Sequence, residues 1–176
     1  FPEGTKSAQY LREYATRLHT VEIDSTFYGI PRASTVERWL KETPDHFEFA
    51  AKFPQRITHE GTLRDNIEEA RAFVERMTLL GPKLGPLLLQ FPYGFRVDQL
   101  EDLGALLAAL PTGYRYAVEV RHKGWLKDAF YDLLRTHGTA LALIDHPWMP
   151  VVDTVTADFT YIRWLGDRKN VEKDFS

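Results

Sequence analysis

A parallel α/β barrel, or an open arc of one, is the fold this sequence predicts, on three observations. Short apolar runs alternate with stretches of helical periodicity in the order αβαβαβαβαββ, and such alternation implies a parallel sheet with right-handed crossovers. Each run carries polar or charged residues for which a buried strand has no use. Those residues cluster near the C-terminal ends of the runs, the end from which α/β barrels take catalytic and binding groups.

The elements follow in chain order. Tyr10, Leu11, Tyr14 and Leu18 share a helical face after Ser7, the expected N-cap. The first strand is expected over 20–24 (TVEID). Val36, Trp39 and Leu40 follow Ser34 as a second helix, and 47–52 (FEFAAK) reads as the second strand. Ile67, Ala70, Val74 and Met77, with Phe73 and Leu80 alongside, form a third helical stripe that stops at Gly81-Pro82. Strand three spans 86–91 (PLLLQF). Leu100, Leu103, Leu106, Leu107 and Leu110 make the fourth helix, ended by Pro111 before strand 116–122 (YAVEVRH). Leu126, Ala129, Phe130, Leu133 and Leu134 make the fifth, closed by Gly138. Strands 140–145 (ALALID) and 159–164 (FTYIRW) come last, joined by a missing or very short crossover near 146–158.

Composition fits one domain over residues 1–176, with 44% hydrophobic and 13% aromatic residues to build a sizeable core. A net charge of −3 gives no global pull toward nucleic acid or anionic membrane, although a local basic patch stays open. With no cysteine there are no disulfides, thiolate metal sites or cysteine nucleophiles, which suits the cytoplasm. No apolar stretch is long enough to span a membrane, and FPEGTKS lacks the regions of a signal peptide. A soluble cytoplasmic protein is expected. No GxGxxG, Walker loop, GxSxG or HExxH occurs, so dinucleotide, P-loop, nucleophile-elbow and zincin chemistry lack support. The sequence is silent on oligomeric state.

Alternation along strands reads Glu22, Asp24, Lys52, Gln90, Glu119, Arg121, Asp145 and Arg163 onto one inward face. Glu22 and Asp24 suit a metal, acid/base work or a sugar hydroxyl; equally, they pair with Lys52 or Arg121 and only fix a barrel layer. Lys52 is a base, a Schiff-base lysine, an anion clamp, or the salt-bridge partner of Glu22 or Glu119. Arg56 and His59 follow in the next loop. Gln90, donating and accepting at once, suits orienting a hydroxyl or carboxylate. Glu119 and Arg121 either satisfy each other or present a carboxylate and a guanidinium to a ligand, with His122 on the other face and Trp125 following. Asp145, His146 and Trp148 close the fifth strand; Arg163, Trp164, Arg168 and Lys169 close the sixth.

The blocks VEIDSTFY, FAAKFPQRITHE, LGPLLLQFP, YAVEVRHKGW, ALALIDHPW and TADFTYIRWLG, in this order, resemble the domain of unknown function 72 family, the YecE-like proteins. The resemblance covers nearly the whole chain. It implies a TIM-like barrel whose pocket is lined by Glu22, Lys52, His59, Gln90, Glu119, Arg121, His122, Asp145 and Arg163. The family pattern commonly has Asn at Asp24. It also begins with a strand carrying a Gly-Trp motif before a segment like FPEG, and it continues into a further strand after the RKNVEKDFS region. Six strands are too few for an eight-stranded barrel of ~250 residues. Either this is a six-stranded variant or a strand is absent at each end, and the resemblance favours the second.

The expectation for function is an enzyme acting on a small polar or anionic metabolite, a sugar or phosphate-bearing molecule. Glu22, Lys52, Glu119 and Asp145 are its candidate catalytic groups, and His59, Gln90, Arg121, His122 and Arg163 its binding groups. No cofactor is expected. The first alternative is a metal-dependent phosphoesterase or endonuclease-like barrel with Glu22, Glu119, Asp145 and nearby histidines as ligands. Three cations in the same pocket weigh against it, because they repel divalent ions. The second alternative is a noncatalytic ligand-binding or interaction protein. Four carboxylates against Lys52, Arg121 and Arg163 predict a near-neutral pocket, to which His59 and His122 add up to two positive charges if acidic surroundings protonate them.

Overall fold

Each of the six apolar runs becomes a strand in the computed structural model, which describes residues 4–147 and 149–164. The strands are β1 (Thr20–Ile23), β2 (Glu48–Lys52), β3 (Leu84–Gln90), β4 (Tyr116–Glu119), β5 (Ala140–Asp145) and β6 (Tyr161–Trp164). They form one sheet in sequence order, and every pairing is parallel. Between them run α1 (Tyr10–Ala15), α2 (Ala33–Glu42), α3 (Gln55–His59), α4 (Ile67–Met77), α5 (Leu100–Ala109) and α6 (Asp128–Thr136). The short α3 was not expected.

Two caps differ from expectation. Ser7 lies inside a 3₁₀ turn, Ser7–Gln9, entered at Lys6, whose N–H is accepted by Gln9 Oε1 at 3.2 Å. Arg32, in extended conformation after Pro31, stands at the N-cap of α2 in place of Ser34. The stops hold as read. Gly81 and Gly138 adopt φ of 55° and 57°, the left-handed region that only glycine enters without strain. Beside Gly81, the buried Lys83 ammonium donates to the carbonyls of Leu40 and Thr43 at 2.8 and 2.7 Å, closing the C-terminal end of α2. Among the described residues the β5–β6 connection contains no helix. Thr156 ties it to β5, accepting from the Leu141 N–H and donating to the Thr139 carbonyl, both at 2.8 Å.

The sheet curls. Six flat strands at about 4.8 Å spacing would hold β1 and β6 roughly 24 Å apart. Instead Glu22 of β1 and Arg163 of β6 form an ion pair at 2.7 Å, so the molecule is a half-barrel with its edges drawn together. A large apolar cluster fills the space between the sheet's outer face and the helices, built on Phe49, Ala51, Leu87, Leu89, Val118 and Leu141 with Phe73, Leu106 and Phe130. A second, smaller cluster of Leu88, Ala117, Ala140 and Ala142 lies on the inner face against Phe159 and Tyr161. Small inner residues leave the concave side room for long polar ones.

Candidate functional site

Register decides which polar residues meet. Glu22 pairs with Ala50, Lys52 with Leu88, Gln90 with Glu119, and Arg163 with Ile144. Paired residues on parallel strands share a face, so Glu22, Lys52, Gln90, Glu119 and Arg163 all point inward. Asp145 is the correction. It pairs with Trp164, one step past the Ile144–Arg163 pair, and therefore takes the outer face, where it is exposed. Its period-two series runs back to Leu143 and Leu141, which pack into the outer core.

Arg163 is the centre of the inner group. Its Nη2 and Nε donate to the two oxygens of Glu22 at 2.7 and 3.0 Å, a bidentate clamp. Its Nη1 donates to Glu119 Oε2 and, at 3.4 Å, to Gln90 Oε1. Glu119 is fully buried, and its other oxygen accepts from Arg121 Nε at 3.0 Å. Tyr161 donates its hydroxyl to Glu22 Oε2 at 2.6 Å. Burial opposes the charge of Arg163, but Glu119 and Glu22 outweigh it and hold the guanidinium above its ordinary range. Burial, then the Glu22 carboxylate, pushes the Tyr161 hydroxyl up, so it remains a donor. Every oxygen of Glu22 and Glu119 thus accepts from a fixed donor. Glu22 pairs with Arg163, and Lys52, its other candidate partner, lies 2.7 Å from Asp24 with its ammonium 4.9 Å from the Phe27 ring centre.

Above this layer opens a cavity of about 420 Å³, lined by Lys52, His59, Gln90, Arg121 and Arg163, with Asp24 and the rings of Phe27 and Tyr28 at its side. The turn Ser25–Tyr28 after β1 presents the two rings, and α3 after β2 presents His59. His59 stands edge-on to Phe27 at 5.2 Å, and its Nδ1 shares a 2.7 Å hydrogen bond with Thr58 Oγ1. The condition for a charged histidine is not met at His59: burial first, then Arg121 and Lys52, hold it below its ordinary value. Desolvation, Arg96 and Lys123 act on His122 in the same direction. His122 lines an adjoining cavity, and its Nδ1 accepts from the Gly124 N–H at 3.2 Å. With Asp145 outside the group, Asp24, Glu22 and Glu119 pair with Lys52, Arg163 and Arg121, three charges against three. Glu22 and Glu119 lie beneath Arg163, which leaves Asp24 as the carboxylate lining the cavity beside three cations.

Other residues singled out from the sequence lie elsewhere. Arg56 pairs with Glu69 at 2.9 Å on the surface. Trp125 is buried core, donating to the Phe95 carbonyl at 2.8 Å, and Trp164 is exposed on the outer face. Trp148, Arg168 and Lys169 fall outside the described residues. Sequence reasoning missed Tyr161, Phe27 and Tyr28. Tyr161 was within reach, since it stands two positions before Arg163 and so shares its face.

Fold and site together define a class: a parallel α/β half-barrel whose C-terminal rim carries arginines anchored on a buried and a half-buried carboxylate. Residues 1–175 match the family model described as "Protein of unknown function DUF72", and the chain belongs to that family. It is 39% identical to UPF0759 protein YecE of Escherichia coli K12 over 112 residues, covering 64% of this chain and 41% of that protein. It is 30% identical to UPF0759 protein YunF of Bacillus subtilis over 192 residues, covering 96% of this chain and 66% of that one. A DUF72 family protein from Thermotoga maritima superposes with a TM-score of 0.80 at 29% identity, covering 96% of this chain and 68% of that one. One from Enterococcus faecalis gives 0.74 at 27% identity, covering 87% and 67%. The chain therefore spans two thirds or less of the curated relatives it matches. Among the described residues, no helix is long and apolar enough to cross a membrane.

Proposed function

We propose that the C-terminal rim binds a small polar anion, phosphate- or carboxylate-bearing, and that the chain acts on it as an enzyme. The observation that carries this reading is the lining of the 420 Å³ cavity, where, among the described residues, Lys52, Arg121 and Arg163 stand with one carboxylate, Asp24. A preorganised guanidinium pair and an ammonium suit a phosphate or carboxylate, with Gln90 orienting a neighbouring hydroxyl. Glu22 and Glu119 position the arginines here, since each of their oxygens accepts from Arg163, Arg121 or Tyr161. His59 is the proton carrier: it lines the cavity, it is neutral near pH 7, and it stands beside the cations that hold the anion.

The metal-dependent alternative is weaker on the donor set. Two of its ligands, Glu22 and Glu119, are clamped by arginine, and Asp145 faces the other way. The noncatalytic alternative uses the same cavity and differs only in turnover. Calorimetric titration with inorganic phosphate tests the anion site. Arg121, about a third exposed, is the variant of choice. Arg121→Ala should abolish phosphate binding in a protein that still folds by circular dichroism, although Glu119 loses one of its donors. Equal binding by the variant, or no binding by the parent protein, sinks the proposal. Product analysis of phosphate esters incubated with the parent and with His59→Gln then separates enzyme from binder.

A further inference from the structure

Arg121 belongs to two cavities. Besides the polar one, it lines an adjoining space of about 440 Å³ together with Tyr93, His122 and Lys123. The two differ in kind: the walls of the first are mostly polar and those of the second mostly apolar. Each is in the size range of a small-molecule site. The second is furnished with flat groups. Tyr93 and His122 meet edge-on with ring centres 5.4 Å apart, and the Arg96 guanidinium lies 4.6 Å from the centre of the Tyr93 ring. Despite both contacts Tyr93 is 62% exposed, a large aromatic surface left to solvent. Tyr93 follows β3 directly after Phe91-Pro92, and His122 and Lys123 follow β4, so both come from the rim where the anion site lies.

We propose that the rim takes a two-part ligand. An anionic group sits among Lys52, Arg121 and Arg163, and a planar ring attached to it lies in the neighbouring cavity against Tyr93. The chemical class is a phosphate ester of a flat heteroaromatic group, of the size of a nucleoside monophosphate. Charge and surface assign the halves. A second anion in this cavity would meet Lys123 but forgo the Tyr93 ring face, whereas a planar ring stacks on Tyr93 beside the His122 imidazole. Arg121 is the hinge of recognition, since it reaches the phosphate from one side and borders the ring from the other. The planar half rests on the anion site proposed above, and the test separates the two.

Four probes are titrated calorimetrically into the protein: ribose 5-phosphate, adenosine 5′-monophosphate, adenosine and pyrophosphate. Adenosine 5′-monophosphate should bind roughly tenfold or more tightly than ribose 5-phosphate, the scale of one aromatic stack. Tyr93→Ala should erase that gain and leave ribose 5-phosphate binding unchanged; the side chain is exposed, and circular dichroism checks that the variant folds. Equal affinity of the two phosphates, or a gain that survives in Tyr93→Ala, overturns the planar half and leaves the anion site standing. Pyrophosphate binding as tightly as the nucleotide replaces the ring with a second anion and overturns the proposal likewise. Adenosine binding as tightly as its monophosphate, or no binding of any phosphate, removes the anion site and this inference with it.

Discussion

His59 is the residue whose protonation the rim decides. Burial, Arg121 and Lys52 together disfavour its charged form, against a smaller pull from Glu60. Just below pH 6.5 the unfolded chain therefore binds more protons than the folded one. The contribution to stability is constant above that pH and declines as pH falls from 6.5 through the depressed value. The His59 imidazole should titrate below 6.5 by NMR, and Arg121→Ala should move the midpoint upward; a midpoint at or above 6.5 in the parent protein contradicts the geometry. Glu119 carries the opposite exposure. Fully buried between Arg121 and Arg163, it is the counter-charge of both. Glu119→Ala should cost about 3–5 kcal/mol, read from the denaturant midpoint, because it strands buried guanidinium. A loss under 1 kcal/mol would mean the pair is solvated. The Glu119–Arg121 pair was legible in the sequence, being two positions apart on one strand. The partner of Glu22 was not: Arg163 lies 141 positions away, and nothing local distinguishes it from Lys52.

At the scale of elements, β2 and β3 meet at a tight point. A Cβ at Gly85 would stand 2.8 Å from Glu48 Cγ and 2.9 Å from the Phe49 carbonyl oxygen. The Glu48 side chain is also tied to Arg115, and the carbonyl belongs to the sheet, so neither yields freely. Gly85→Ala should destabilise by about 1–3 kcal/mol, the usual cost of overpacking, as measured by thermal unfolding. An unchanged midpoint would show that the β2–β3 irregularity absorbs the methyl group. Alternation and apolar runs made all six strands readable, and their ends less so. The fourth stops at Glu119, where its ladder with β3 ends at Gln90, so Arg121 and His122 stand on the loop beyond. Helix α3 is five residues long, too short for a helical period to declare itself. Asp145 was misassigned because the face of β5 depends on its register against β6, which sequence does not state.

Across the whole molecule, burial is uneven. β4 is buried at every position and β3 nearly so, whereas β6 alternates half-buried with exposed residues and β1 begins exposed. Backbone amides of β3 and β4 should therefore exchange hydrogen last, and those of β6 first, as followed by mass spectrometry or NMR. Uniform protection across the six strands would refute this gradient. Strand order was readable from the helix–strand alternation. Curvature was not, since it shows itself in side chains of the first and last strands meeting across the concave face.

That meeting has a consequence for a chain still being made. Glu22 and Glu119 precede Arg163 by 141 and 44 positions, so the ribosome releases both carboxylates well before their shared cation. N-terminal segments begin to organise during synthesis. A nascent sheet of β1 to β4 already holds Glu119 against its neighbour Arg121, but it has no guanidinium to draw Glu22 across the concave face. Emergence of β6 supplies that cation. The contacts that hold the two edges of the arc together are therefore among the last that chain order allows to form.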